Sequence, residues 1–184
     1  MNDILRVFTK NNIKILDQIS SETLHIREIA EKTNTSPATV HKAIELFKKL
    51  DFIVEKKVKN RKNVSLNRKN VVLKKIRTLI NTNKILTSKA YKKLKKTGTI
   101  GVYGSFASGE DTPESDIDIW IYSKKKIDQI KLKSTTRKLT NELGKEVRPL
   151  TLTDEKIKEL KEKDPEFYYR LKLTSVVLNG DIFD

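Results

Sequence analysis

Two aspartates one residue apart, Asp116 and Asp118, interrupt the apolar run DIDIWIY at residues 116–122. Side chains alternate along a strand, so Asp116, Asp118, Trp120 and Tyr122 share one face and Ile117, Ile119 and Ile121 fill the other. The isoleucine face is core, which leaves the aspartate face open. Two carboxylates this close raise each other's pKa and need a positive partner. A divalent cation meets that need, and oxygen-only donors suit Mg²⁺ best. Upstream, Gly104-Ser105 follows a second apolar run, TIGVY at 99–103. Glycine lets a backbone approach phosphate closely, and serine at the start of a short helix offers a hydroxyl and free N–H groups to an anion. A triphosphate held there would bring its Mg²⁺ within reach of both aspartates, the layout of phosphoryl and nucleotidyl transfer.

The elements that must position these groups are legible around them. A strand at 99–103 gives way to a few helix-compatible residues and the turn-rich GEDTPES at 109–115, and a second strand runs from Asp116 to Tyr122. GKEVRPLTLT at 144–153 reads as a later strand. Thr153 is placed to cap one helix, and Asp164-Pro165-Glu166 to start another with Phe167, Leu171 and Val176 as core. Trp120 and Tyr122 either stack on a base or pack against these helices.

Strand, Gly-Ser, ten intervening residues and Asp-x-Asp on an apolar strand, with Gly109 and Ser115 between, resemble the nucleotidyltransferase superfamily of DNA polymerase beta. The likeness is greatest to its minimal nucleotidyltransferases and covers residues 98–184. It implies a mixed sheet with helices on one face, and LNGDIFD at the end resembles the closing turn and short strand of the small members. It further implies that Gly104 and Ser105 hold the nucleotide triphosphate, ATP among the options, and that Asp116 and Asp118 hold Mg²⁺ as catalytic carboxylates. The family carries a third carboxylate on a later strand. Here Arg148 takes that slot, and Glu146, two residues away and so on the same face, is the catalytic acid the resemblance puts forward. Ser108 stands where many relatives have a basic residue.

Charge divides the chain unevenly. The net +15 is concentrated in residues 1–97, with 24 Lys+Arg against 8 Asp+Glu, whereas residues 98–184 hold 15 against 16. From residue 56 to 109, 16 lysines and arginines stand with no acid at all. Solvated faces normally mix signs, and a one-signed stretch repels itself unless a polyanion lies nearby. That points to nucleic acid. Residues 56–97 hold one aromatic residue, Tyr91, whereas single-strand binders interleave exposed aromatics with basic residues, so duplex DNA is favoured. The absence of cysteine excludes disulfides and thiolate metal sites. With no long apolar run and no basic leader before an apolar core, the expectation is a cytoplasmic protein without membrane attachment.

The basic half opens with Ile4, Leu5, Phe8, Ile15, Leu16 and Ile19 at helical spacing, with a break expected at Asn11-Asn12. Ile26, Ile29 and Ala30 make a short amphipathic helix ending at Thr33-Asn34. Ser36 is placed as an N-cap with Pro37 at the first helical position, and Val40, Ala43, Ile44, Phe47 and Leu50 give the following helix its buried stripe. FIVEKKVKNRKNVSLN then reads as two strands around a basic turn. Helix, helix-turn-helix and basic hairpin over residues 1–68 resemble winged helix-turn-helix domains of prokaryotic regulators. The resemblance implies that the second helix enters the major groove, with Ser36, Thr39, His41 and Lys42 toward the bases. It implies equally that the wing brings Lys57, Lys59, Arg61 and Lys62 to the backbone. Residues 69–97 form one or two basic helices, either a linker or a segment packed on both neighbours.

The expectation from sequence is therefore an α+β chain: a winged helix domain at 1–68, a basic helical linker at 69–97 and a polymerase-beta-like nucleotidyltransferase domain at 98–184. Its expected activity is Mg²⁺-dependent transfer of NMP from an NTP to an acceptor hydroxyl on protein, RNA or a small molecule, in a protein bound to duplex DNA, with a homodimer among the open assembly states. The alternatives are a transcription regulator, or a toxin–antitoxin component, whose second domain binds nucleotide without catalysis.

Overall fold

A computed structural model describes residues 3–21, 24–58 and 61–183, with the backbone alone at 21, 57, 58, 61 and 62. The chain divides into two compact units at Leu73/Lys74. The first begins with a 3-10 turn, Asp3–Val7, followed by α1 (Lys10–Ser21). The break falls at Phe8-Thr9 rather than at Asn11-Asn12. The Thr9 hydroxyl accepts the Asn12 amide at 3.2 Å and so starts α1 early enough to absorb both asparagines.

A two-residue strand β1 (Leu24–His25) leads into α2 (Ile26–Thr33) and α3 (Pro37–Lys49). Asn34, in the left-handed conformation with φ 51°, ends α2, and Ser36 caps α3 through the Thr39 amide. Strands β2 (Ile53–Val58) and β3 (Arg61–Leu66) form an antiparallel hairpin, and the three-stranded sheet runs β1-β3-β2. Ile15, Leu16, Ile29, Val40, Ile44, Phe47 and Val64 are all but fully buried and close the core of this unit.

The second unit comprises most of α4 (Val71–Thr87), α5 (Lys89–Leu94), β4 (Thr99–Tyr103), α6 (Gly104–Ser108), β5 (Ile117–Tyr122), α7 (Gln129–Leu143), β6 (Val147–Leu152), α8 (Asp154–Lys163), α9 (Pro165–Thr174) and β7 (Val176–Asn179). Its sheet, ordered β6-β5-β4-β7, is mixed: β5 and β6 are parallel, whereas β4 is antiparallel to both β5 and β7. The short closing strand precedes the Gly180 turn and takes in only Leu178 and Asn179 of LNGDIFD, and Val176 belongs to it rather than to a helix.

Two expectations are corrected. Helices cover both faces of this sheet. Ile117, Ile119 and Ile121 pack with Ile100, Val102 and residues of α5, α6 and α7, as expected of the isoleucine face. On the opposite face Trp120, fully buried, packs with Ile157 of α8, Tyr168 and Leu171 of α9 and Phe183. The cause is the change of side-chain type along one face of β5, from carboxylates at its start to large aromatics at its end. Apolar area of that size demands burial, so only the Asp116–Asp118 end lies open. The second correction concerns 74–97, which is not a linker. Ile85, Tyr91 and Leu94 are buried in the isoleucine-side core, so this stretch is an integral layer of the second unit.

Candidate active site

Strand β4 ends at Tyr103, which pairs across the sheet with Asp118. The chain then turns through Gly104 at φ 71°, a conformation that strains any residue with a side chain. Space forbids one as well, because a Cβ at Gly104 would lie 2.9 Å from Asp118 Oδ2. The tertiary fold thus places the Gly-Ser turn directly against the second aspartate. Ser105 is half-buried beside it, and its carbonyl accepts the amides of Glu110 and Asp111, which closes the α6 turn.

Asp116 immediately precedes β5 and Asp118 lies on it, one strand-face repeat apart. Burial, together with the neighbouring Asp116 charge, pushes the Asp118 carboxyl above the ordinary aspartate range, and the Arg148 guanidinium opposes that rise. Burial and the Asp118 charge likewise push the Tyr103 phenol up. In the parallel pairing of β5 and β6, Arg148 is the register partner of Asp118. Its side chain reaches Asp116, with Nη1 2.7 Å from Oδ2, and lies 3.6 Å from Glu146 Oε2. Glu146 precedes β6; its carboxylate is largely exposed, while its carbonyl accepts the Ile117 amide.

The donor set is suited to one divalent cation: two carboxylates, one of them with its pKa raised by burial and by the other's charge, beside an exposed glycine turn. It is not suited to a second ion on protein ligands alone. Among the described residues no three acids, histidines or cysteines come together in a way that could hold a metal. Glu146 is on the expected side of β6, and the guanidinium of Arg148 contacts it and Asp116 alike.

The loop between α6 and β5 is fixed by groups that sequence reasoning missed. Arg77 of α4 donates to both the carbonyl and the carboxylate of Asp111, at 2.9 and 2.8 Å. Asn81, one turn later, donates to the same carboxylate and to the Phe106 carbonyl. Gly109, at φ 75°, lies so close to α4 that a Cβ there would collide with the Lys74 carbonyl. Lys145 donates to the carbonyls of Thr112, Pro113 and Ser115, and burial lowers its pKa. These partners stand 30 or more residues from the loop they hold. The one sequence signal was the acid-free basic run, which hides within it the buried polar side chains Arg77 and Asn81.

In the first unit, Ser36, His41 and Lys42 are exposed and Thr39 is half-buried at the start of α3. The Ser36 hydroxyl is engaged with Thr39, as cap and as hydroxyl partner at 2.9 Å. Lys57 and Lys62 are register partners on the hairpin, and Arg61 begins β3. The side chains of Lys57, Arg61 and Lys62, and Lys59 as a whole, lie outside the described residues.

No curated protein matches the chain. No helix among the described residues is long and apolar enough to cross a membrane. Residues 83–181 match the family described as "Polymerase beta, Nucleotidyltransferase". This range contains the Gly-Ser turn, both aspartates, Glu146 and Arg148, so more than half of the chain lies within the match, and the protein belongs to the polymerase beta nucleotidyltransferase family.

Proposed function

We propose that the second unit transfers a nucleoside monophosphate from an NTP to an acceptor hydroxyl, in a protein that the first unit anchors to duplex DNA as a winged helix. The observation that carries the first part is the apposition of Gly104 and Asp118, with 2.9 Å between a would-be Cβ and the carboxylate. A phosphate on the Gly104-Ser105 backbone is then next to the carboxylates that would hold its counter-ion. Asp116 and Asp118 are the ligands for Mg²⁺, which when bound would neutralise the triphosphate and the leaving oxygen.

The acceptor oxygen bonds to the α-phosphorus, the bond from that phosphorus to the bridging oxygen breaks, and pyrophosphate leaves with the electron pair. Glu146, exposed and beside the open end of the sheet, takes the hydroxyl proton on its carboxylate. Incubation with each α-labelled NTP, Mg²⁺ and cell extract tests the proposal. A labelled acceptor that disappears with Asp116→Asn supports it, and Mg²⁺-dependent NTP binding with no transfer to any acceptor defeats it.

A specific observation favours a second reading, in which the unit senses nucleotide without catalysis. A cation, Arg148, stands where the family has its third carboxylate, and it is bonded to Asp116. The DNA part rests on the order of helices and hairpin and on the exposed residues of α3. Replacing Lys59, Arg61 and Lys62 by Ala should flatten the salt dependence of duplex binding by about 0.9 log unit per lost phosphate contact. An unchanged slope removes the hairpin from the backbone.

A further inference from the structure

A patch of one sign lies in the second unit at the end of the sheet away from the aspartates. There α5 leads through Thr97 into β4, and β5 leaves through Ser123 toward α7. Lys93, Lys96, Lys125, Lys126 and Lys131 line a hollow of about 540 Å³. A second hollow of about 460 Å³ shares Lys96, Thr97, Ser123 and Lys125 with it and adds Lys95 and Lys124, so the two form one groove. All seven lysines are exposed. None has an ion-pair partner among the described residues. The one acid in the lining, Asp128, spends its carboxylate on capping α7 through the Lys131 amide at 3.0 Å.

Seven unpaired ammonium groups around a concavity repel one another, and the cost is offset when an anion of repeating charge lies between them. Shape and composition decide which anion. Its apolar lining residues Ile127 and Leu132 are buried, so it offers no apolar side chain for insertion into a lipid surface. Nor does it offer the aromatic or arginine anchors of a protein interface: its one aromatic, Tyr122, has its hydroxyl bonded to Asp154. A ladder of phosphates contacted by flexible lysines needs neither.

We infer that this groove docks the sugar–phosphate backbone of a nucleic acid, without base readout, at a site separate from the nucleotide site. Thr99 pairs with Tyr122 at the groove end and Tyr103 with Asp118 at the other. Four residues of strand put about 14 Å between them along the sheet. The groove stands independently of the proposed transfer reaction.

The test uses the full chain with Lys93, Lys96, Lys125 and Lys131 changed to Gln, which removes charge from exposed positions and leaves the core intact. Binding of single-stranded RNA, single-stranded DNA and duplex DNA of equal length is titrated against salt. Lysine acetylation is mapped by mass spectrometry with and without each strand. For at least one nucleic acid the variant should lose ten-fold or more in affinity. Its log–log salt slope should become shallower by about 3, at ~0.7–0.9 per contact, and the groove lysines of the parent chain should be protected. The strand that shows this names the source, RNA or DNA, while Mg²⁺–NTP affinity stays unchanged because the aspartates are untouched. Unchanged affinity and slope for all three strands, or groove lysines acetylated equally with and without them, overturns the inference.

Discussion

Arg148 reaches from β6 across to Asp116 at 2.7 Å while its backbone pairs in register with Asp118. One side chain thereby offsets part of the negative charge at the carboxylate site. It lowers the cost of holding two acids together and contests Asp116 with any incoming cation. The guanidinium is largely exposed, so the pair is screened and worth about 0.5–1 kcal/mol. Arg148→Ala should therefore tighten Mg²⁺ binding to the nucleotide-free protein by about two- to five-fold, as read by calorimetry. Its effect on transfer separates two roles. Activity spared or raised means that the arginine only guards Asp116, whereas activity lost means that it stabilises charge developing on the phosphates.

Asp116→Asn and Asp118→Asn preserve side-chain shape and remove the charge that balances a cation. Each should abolish Mg²⁺-dependent NTP affinity while circular dichroism and thermal unfolding stay close to the parent. Equal NTP affinity in EDTA and in Mg²⁺ for the parent protein would remove the aspartates from nucleotide binding.

The Asp118 carboxyl is raised by burial and by Asp116, so the folded chain holds that proton more tightly than the unfolded chain does. Between the ordinary aspartate pKa and the raised one, the folded state binds more protons, and this group's contribution to stability falls as pH rises. Metal competes for the same carboxylate, so Mg²⁺ affinity should climb through that window and level off above it. Asp116→Asn removes the like charge and should shift the midpoint of the Asp118 titration, followed by carboxyl NMR, to lower pH. A midpoint that moves up, or not at all, contradicts the electrostatic account.

Glu146 is the only described acid at the start of β6, and it contacts Arg148 rather than the aspartates. If it takes the acceptor's proton, Glu146→Gln should slow transfer by about 10²–10⁴ and leave Mg²⁺–NTP binding nearly unchanged. Transfer at the parent rate would reduce Glu146 to a partner of Arg148.

Arg77 and Asp111 are almost wholly buried and bonded to each other, with Asn81 sharing the carboxylate. Removing one member strands a charge in the interior, at a cost of about 3–5 kcal/mol. Arg77→Met should lower the urea midpoint by that equivalent and loosen the 109–115 loop, measured as faster amide exchange at Glu110 and Asp111. A loss below about 1 kcal/mol would mean that the loop is held by other contacts.

Local chemistry determined much of this protein from sequence. Strand alternation separated Asp116 and Asp118 from the isoleucine face, because period two is a property of the backbone itself. Ser36 and Thr153 were readable as caps, and Asp164-Pro165-Glu166 as a helix start, since a cap bonds an amide only three residues away. The resemblance carried by Gly-Ser and Asp-x-Asp led to the family that residues 83–181 match. What only the tertiary structure decided depends on partners far apart in the chain. The aromatics that close the far end of the aspartate face meet helices supplied by residues 154–174. The stretch expected as a linker became a structural layer because Arg77 and Asn81 find Asp111 some 30 residues away. Arg148 found Asp116 only because β5 and β6 lie parallel in a register that places it opposite Asp118. Periodicity reports which face a residue occupies, and pairing across a sheet decides which charge it meets there.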